Sequence, residues 1–429
     1  MTKNRVYNSS LLFLVFLEHL FLYIFGVNGK TGQAVNAFGF FIASFLFGVV
    51  ILMKFYNKPD IKPSTQKIGK QKYMYILLYA VIIVILNIYT IRIIKIFNYL
   101  DYSDIIPAIR LLAQRLIAGK YVYSKDAWEI IYYHNVHPGY LPMHWLPIVP
   151  AEYFHFDPRT MTFVVWAIGA TVLMVRSMKC DDKFLRLLIP LMILVSYHLL
   201  SHAIATVIGV TVEIMIAGYY MLFISGINQK NYLVTGLFIT FCMLSRYYIF
   251  IWLPLWFFVL FVSGNRAYLF KTIGTIAALI CILYIIPFVL KDYTLLTTFG
   301  ESYKSTMGEW YHLNPQGLPY HLYAGNGFAY IFYEHYLHTN LEKGFLLLKK
   351  VLFVSTFGSV FVMGVWYWFK KKHINYKIFL MASFKIYLTL FLGFILVPYS
   401  YLMITSVFVS IAIFAEQARY DTDTIIERE

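Results

Sequence analysis

Apolar runs near twenty residues recur along the whole chain, separated by polar turns. As an α-helix rising about 1.5 Å per residue, such a run crosses a hydrocarbon core of about 30 Å. The runs fall at 11–27, 35–53, 74–97, 160–175, 187–202, 207–224, 232–244, 249–262, 272–290, 345–369, 378–397 and 401–415, which predicts about twelve spans. Lys- and Arg-rich turns occupy alternate connections, at 54–72, 176–186, 229–230, 266–271 and 370–372, and the basic residues before the first run share their side. The positive-inside rule makes that side cytoplasmic. Two long polar segments, 98–159 and 291–343, lie on the other side. A transmembrane β-barrel would show shorter, alternating segments. The expected fold is therefore an all-α polytopic membrane protein. It divides into a hairpin with its basic linker (1–73), a transmembrane module carrying the first outer loop (74–290), a second outer loop roofing a cavity (291–343), and C-terminal helices with a cytoplasmic tail (344–429).

Composition agrees: 60% of residues are hydrophobic and 13% charged, outside the range of soluble domains. A net charge of +15 could signal nucleic acid. The cations sit in short turns between spans, so the membrane accounts for them and no nucleic-acid partner is expected. Three cysteines, two of them inside apolar runs, give no disulfide framework and no metal site. The first run lacks a small-residue cleavage site and is followed by another span, so no cleavable signal is expected. Glu18 and His19 lie inside the first span, an intramembrane ionisable pair. Adjacent positions point about 100° apart on a helix, so only one of them should face the bundle squarely.

The most informative polar stretch begins at Asp101. From Ile105 the apolar positions Ile105, Ile106, Ile109, Leu112, Ala113, Leu116 and Ile117 fall at helical spacing. They form a stripe of roughly 140°, which predicts a helix resting on the membrane surface and ending at Gly119. Asp104 stands at its mouth. Two roles are open to it. Ser103 or Asp104 can cap the helix, and Pro107 is tolerated in the first turn. Alternatively, Asp104 can act as a base. A sugar hydroxyl is a poor nucleophile until its proton is drawn off, and a carboxylate ionised at neutral pH can take it. A leaving phosphate then needs a cation, preferably the fork of an arginine.

After this helix come Gly119 and Tyr123, then Tyr140-Leu-Pro-Met-His-Trp-Leu-Pro147, then Asp157-Pro-Arg159 before the next span. This order resembles the first-loop region of the GT-C glycosyltransferases, the polyprenyl-phosphate-sugar-dependent membrane enzymes. It is most similar to their bacterial polyprenol-phosphate-mannose-dependent mannosyltransferase branch. The resemblance covers about sixty residues closely and the remainder by topology. It implies that Asp104 is the catalytic residue, with Asp101 matching a looser two-acid form. It also implies inverting transfer of a hexose, mannose favoured, from a polyprenyl-phosphate donor to a lipid or glycan acceptor. The site would lie on the outer face of a bacterial cytoplasmic membrane. The chain departs from the pattern in lacking a second adjacent proline after Tyr140 and in carrying a hairpin before the usual first span.

Arg246, at the end of a span, is the implied holder of the donor phosphate. Glu213 is costly to bury alone and would pair with a cation such as Arg246 or His202, or contact substrate. Arg110, with Arg115 and Lys120, could steer an anionic lipid. His137, His144, His198 and His202 could bind phosphate or a sugar hydroxyl, and Tyr140 and Arg159 belong to the acceptor side of the motif. No cofactor is required. The two early acids could hold a divalent cation. Two other classes compete. An O-antigen ligase or polymerase using a lipid-diphosphate glycan would move the key residues to 291–343, with His335 to Gly344 as its signature. A transporter would need polar residues at the midplane of broken helices, for which Arg246 and Glu213 are the candidates.

Overall fold

The computed structural model describes residues 3–24, 29–64, 69–124, 140–203, 205–296, 306–313 and 317–420. Among them the chain is all-helical, with no strand, and nine helices are long and apolar enough to cross a membrane. The chain is thus an integral, multi-pass membrane protein. Helix α1 (Lys3–His19) continues through a wide turn, Leu20–Ile24, and α2 (Gly29–Phe55) completes the hairpin. Next come α3 (Gln71–Ile96), α4 (Ile105–Ile117), whose apolar stripe is largely buried within the protein, α5 (Arg159–Ser177) and α6 (Lys183–Ala203). The expected span at 207–224 is two helices, α7 (Ala205–Val210) and α8 (Glu213–Ile227). Thr211 makes the break. Its hydroxyl accepts from Glu213 N at 3.3 Å in place of Gly209 O, which takes a bond from Arg159 at 3.0 Å; the same hydroxyl donates to Val207 O at 2.7 Å, which also keeps its backbone bond from Thr211 N at 3.2 Å. The rest are α9 (Tyr232–Met243), α10 (Leu253–Val262), α11 (Arg266–Ile280, running on through Cys281–Val289), α12 (Leu341–Lys370), α13 (Tyr376–Gly393) and α14 (Met403–Gln417).

Helix lengths set where a site can form. Helices α8, α9 and α10 have 15, 12 and 10 residues, or about 22, 18 and 15 Å of rise. Each is shorter than the roughly 30 Å of a hydrocarbon core. They start from, or return to, the end of the bundle that carries the basic turns. At their other ends Glu213 opens α8 and Arg246 follows α9. Non-helical backbone within a membrane survives only where protein or a polar cavity surrounds it. Described residues of both long loops, Ser103 and Tyr140 from the first and Glu309 and His321 from the second, meet Arg246 around one cavity. Close helix contact supports the same region. A Cβ on Gly218 of α8 would meet Trp166 Cα of α5 at 2.8 Å, so only glycine allows that approach.

The hairpin is part of the bundle. Helix α2 packs along α13, and α1 along α14. Glu18 and His19 are both buried, against the expectation that only one could face inward. The reason is that α1 has protein on two sides. Glu18 pairs with Lys385 of α13 at 2.7 Å, and His19 Nε2 hydrogen-bonds Ser196 Oγ of α6 at 2.7 Å. The second long loop builds a small core of its own. Trp310, Leu322, Tyr323, Phe328 and Tyr333 pack with Phe345 and Leu348 of α12, and Trp310 Nε1 donates to Leu396 O at 3.0 Å.

Candidate functional site

The mouth of α4 separates the two roles open to Asp104. The backbone N–H of Ile106 donates to Ser103 Oγ at 3.0 Å, and Ser103 in turn donates to Val210 O at 2.5 Å. Ser103 is therefore the capping side chain, and it ties the loop to α7. Asp104 makes no side-chain cap bond and is exposed. The far end of α4 closes as a Schellman turn. Gly119 has φ +67°, its N–H bonds Leu116 O at 3.0 Å, and Lys120 N–H bonds Arg115 O at 2.9 Å.

Asp104 faces a cavity of about 530 Å³. Ser103, Ile105 and Tyr140 of the first loop line it, with Thr206, Val207 and Val210 of α7, Thr211 at the break, and Arg246 beyond α9. Glu309 and His321 enter from the second loop, and Tyr399, Ser400 and Tyr401 from the turn before α14. The Tyr140 segment is held firmly. Met143 N–H donates to Leu244 O at 2.8 Å, Tyr219 hydroxyl donates to Met143 O at 3.2 Å, and Tyr123 hydroxyl donates to Tyr140 O at 2.8 Å. Burial holds the Tyr140 phenol protonated; the Asp104 charge adds to this and Arg246 opposes it.

Arg246 follows α9 closely, its N–H bonded to Cys242 O at 3.0 Å. Its guanidinium is ion-paired with Glu213, which is fully buried, while the arginine side chain stays 24% exposed. Nε meets no acceptor among the described residues. Glu213 does not line the cavity; it pairs with Arg246, which does.

Opposite lies a pair the sequence pattern does not single out. Glu309 Oε2 sits 3.7 Å from His321 Nε2, and Tyr399 is hydrogen-bonded to Glu309 with its ring 4.6 Å from that of His321. Burial holds the His321 imidazole below its ordinary value, with Glu309 and Asp104 working against that shift. The only sequence signal for these residues is the length of their loop. Among the described residues no group of three or more His, Cys, Asp and Glu side chains could hold a metal ion.

The other sequence candidates lie elsewhere. Arg110 is bound by Glu152 and Tyr99, and Gln114 Nε2 donates to the same carboxylate at 2.7 Å. Arg159 is buried and spends its donors on Asp157 and on the carbonyls of Ile94 (3.0 Å), Phe97 (2.6 Å) and Gly209 (3.0 Å). It staples three helix ends. His202 is exposed, near His198 and Tyr89, with Nδ1 3.0 Å from His198 O. His144 is buried beside Tyr140 and away from the cavity lining, and neither ring nitrogen has a partner among the described residues. His137 and the side chain of Asp101 lie outside the described residues. His335 is exposed and does not line the cavity. No protein-family model, no curated protein and no solved structure matches the chain.

Proposed function

We propose that the chain is an inverting membrane glycosyltransferase. It would move a hexose from a polyprenyl-phosphate donor to a lipid or glycan acceptor. The observation that carries this reading is one cavity lined by a carboxylate with no side-chain hydrogen bond among the described residues, Asp104, and a guanidinium paired on one side only, Arg246. In the reaction the acceptor hydroxyl gives its proton to Asp104 as its oxygen bonds the anomeric carbon. The bond from that carbon to the phosphate oxygen breaks, and its electron pair leaves with the lipid phosphate, whose charge Arg246 receives. Glu213 orients Arg246. The phosphate ester carries the energy, so no nucleotide is needed. The scheme requires no divalent cation. Counting the three shorter apolar helices beside the nine long ones as crossings, each completed by its flanking non-helical residues, would give a topology of twelve. The basic turns then lie in the cytosol and the cavity opens on the outer face, in a bacterial cytoplasmic membrane. Mannose is favoured by the resemblance in the first loop.

The test uses protein in liposomes supplied with labelled polyprenyl-phosphate mannose. Asp104→Asn should lower transfer by about 10²–10⁴-fold while leaving the fold intact, because Ser103 makes the cap. Asp101→Asn measures the second acid in parallel. Glu309 and His321 favour a second reading, a ligase acting on lipid-diphosphate glycan. Activity on that donor, lost in His321→Ala or His335→Ala and kept in Asp104→Asn, would replace the first reading. The break at Thr211 favours a lipid transporter, which would move labelled lipid without forming a glycosidic bond.

A further inference from the structure

A second cavity, of about 270 Å³, opens at the end of the bundle that carries the basic turns. Its polar wall includes Lys230, Asn265, Tyr376 and Lys377, and Trp256 and Leu380 belong to its apolar floor. Among the described residues no carboxylate lines it. The Lys377 ammonium has three donors and gives one, to Asn228 O at 3.3 Å. Lys230 and the Tyr376 hydroxyl have no hydrogen-bond partner among the described residues. The surroundings are also cationic. Arg176, Arg419 and Lys230 act on Lys377 with Glu416 the sole acid among them. That carboxylate is already committed to Arg176, to Arg419 at 2.8 Å and to Asn228 at 2.8 Å. Two ammonium groups and a phenol thus converge with no counter-charge of their own, above an apolar floor at the end of the spans.

We infer that this cavity is a phosphate-binding site. The chemistry fits a phosphate monoester, which accepts several charge-assisted hydrogen bonds at once. The floor fits the first carbons of a lipid attached to it, and the location is where lipid headgroups lie. The site is separate from the Asp104 cavity and does not depend on any reaction there. A free phosphate ion and a lipid phosphate share the recognition chemistry, and the two sources separate by experiment.

Protein purified into phosphatidylcholine nanodiscs would be given phosphatidic acid in one arm and inorganic phosphate in the other. Native mass spectrometry counts retained lipid, and thermal shift reads the ion. Saturable retention of one phosphatidic acid, reduced at least about tenfold in Lys230→Gln/Lys377→Gln and a few-fold in Tyr376→Phe, is the expected result. Lys371→Gln/Lys372→Gln removes the same charge from another basic turn and should change little. A thermal shift with inorganic phosphate, showing the same dependence on the variants, supports the site and assigns it to the free ion. Equal losses in both double variants would show general attraction to an anionic surface and overturn the proposal. So would the absence of binding in both arms. Tyr376→Phe retains every charge, so it keeps the test informative should the double variant fold poorly.

Discussion

Deep in the bundle, Glu18 and Lys385 are both fully buried with N···O 2.7 Å. They join the N-terminal hairpin to α13. Ser406 surrounds the ammonium, accepting through O at 3.0 Å and Oγ at 2.7 Å, and Ser410 donates to Glu18 Oε1 at 3.1 Å. Removing one charge leaves the other in a low-dielectric interior, where breaking a buried pair costs about 3–5 kcal/mol. Replacing both with apolar side chains of similar volume removes the desolvation penalty together with the attraction, and such exchanges are often neutral or stabilising. Glu18→Met and Lys385→Met should therefore each destabilise by about 3–5 kcal/mol. The double variant should lie within about 2 kcal/mol of the parent, giving a coupling energy of several kcal/mol. The hydroxyls of Ser406 and Ser410, left without charged partners, set that residual cost. Unfolding of all four proteins by denaturing detergent, in one mixed-micelle system, measures the cycle. Single losses under about 1 kcal/mol, or a double loss equal to the sum of the singles, would refute the idea that this pair clamps the hairpin. Transfer by the double variant should survive, since neither residue lines the Asp104 cavity.

The physics that made parts of this fold legible is local. Helix α4 has the bounds its apolar stripe predicts, Ile105–Ile117, because an amphipathic helix records its buried face in consecutive residues. Long spans are legible for the same reason. Hydropathy averages over a window, so it does not register the Thr211 hydroxyl taking the bond of Glu213 N, and 207–224 reads as one span. Nor does it register that α9 and α10 are only 12 and 10 residues long, with Arg246 in the non-helical stretch between them. Distant pairing leaves no local trace. Lys385 looks like a lone charge in an apolar run until Glu18, more than 360 positions earlier, meets it. Arg159 shows the converse. Its place in a motif suggested substrate contact, yet its donors meet carbonyls from the ends of α3 and α7. Asp104, Tyr140 and Arg246 converge on one cavity, as the first-loop motif and the Ser245-Arg246 turn suggested. Glu309 and His321 line it from a loop that Trp310 packs against α12, a long-range contact with no local trace.

Arg159→Lys keeps a charge but loses the fork that joins Asp157 and three carbonyls, so it should cost about 2–4 kcal/mol in the same unfolding assay. With the fold held by substrate or low temperature, its KM for donor should not change. His144 gives a pH signature. Burial, with a smaller contribution from the Arg246 charge, holds its imidazole well below the ordinary value of 6.5. As pH falls below that value the unfolded chain takes up a proton the folded site refuses. Stability is then lost toward acid, by up to about 1.4 kcal/mol per pH unit. Melting curves from about pH 8 to about pH 5 should fall less steeply for His144→Leu than for the parent, and equal slopes would refute the assignment. The Arg246–Glu213 pair separates holding a phosphate from holding a fold. Arg246→Lys supplies a point charge where a planar fork stood, so donor KM should rise about tenfold or more with stability lowered only modestly. Glu213→Gln keeps the shape and leaves Arg246 charged but unanchored. Its effect should appear in kcat, because a guanidinium free to move binds the ground state nearly as well but no longer meets the charge developing on the leaving phosphate. If both variants lowered stability alike and left both kinetic constants unchanged, the pair would be an internal strut and the phosphate would need another cation.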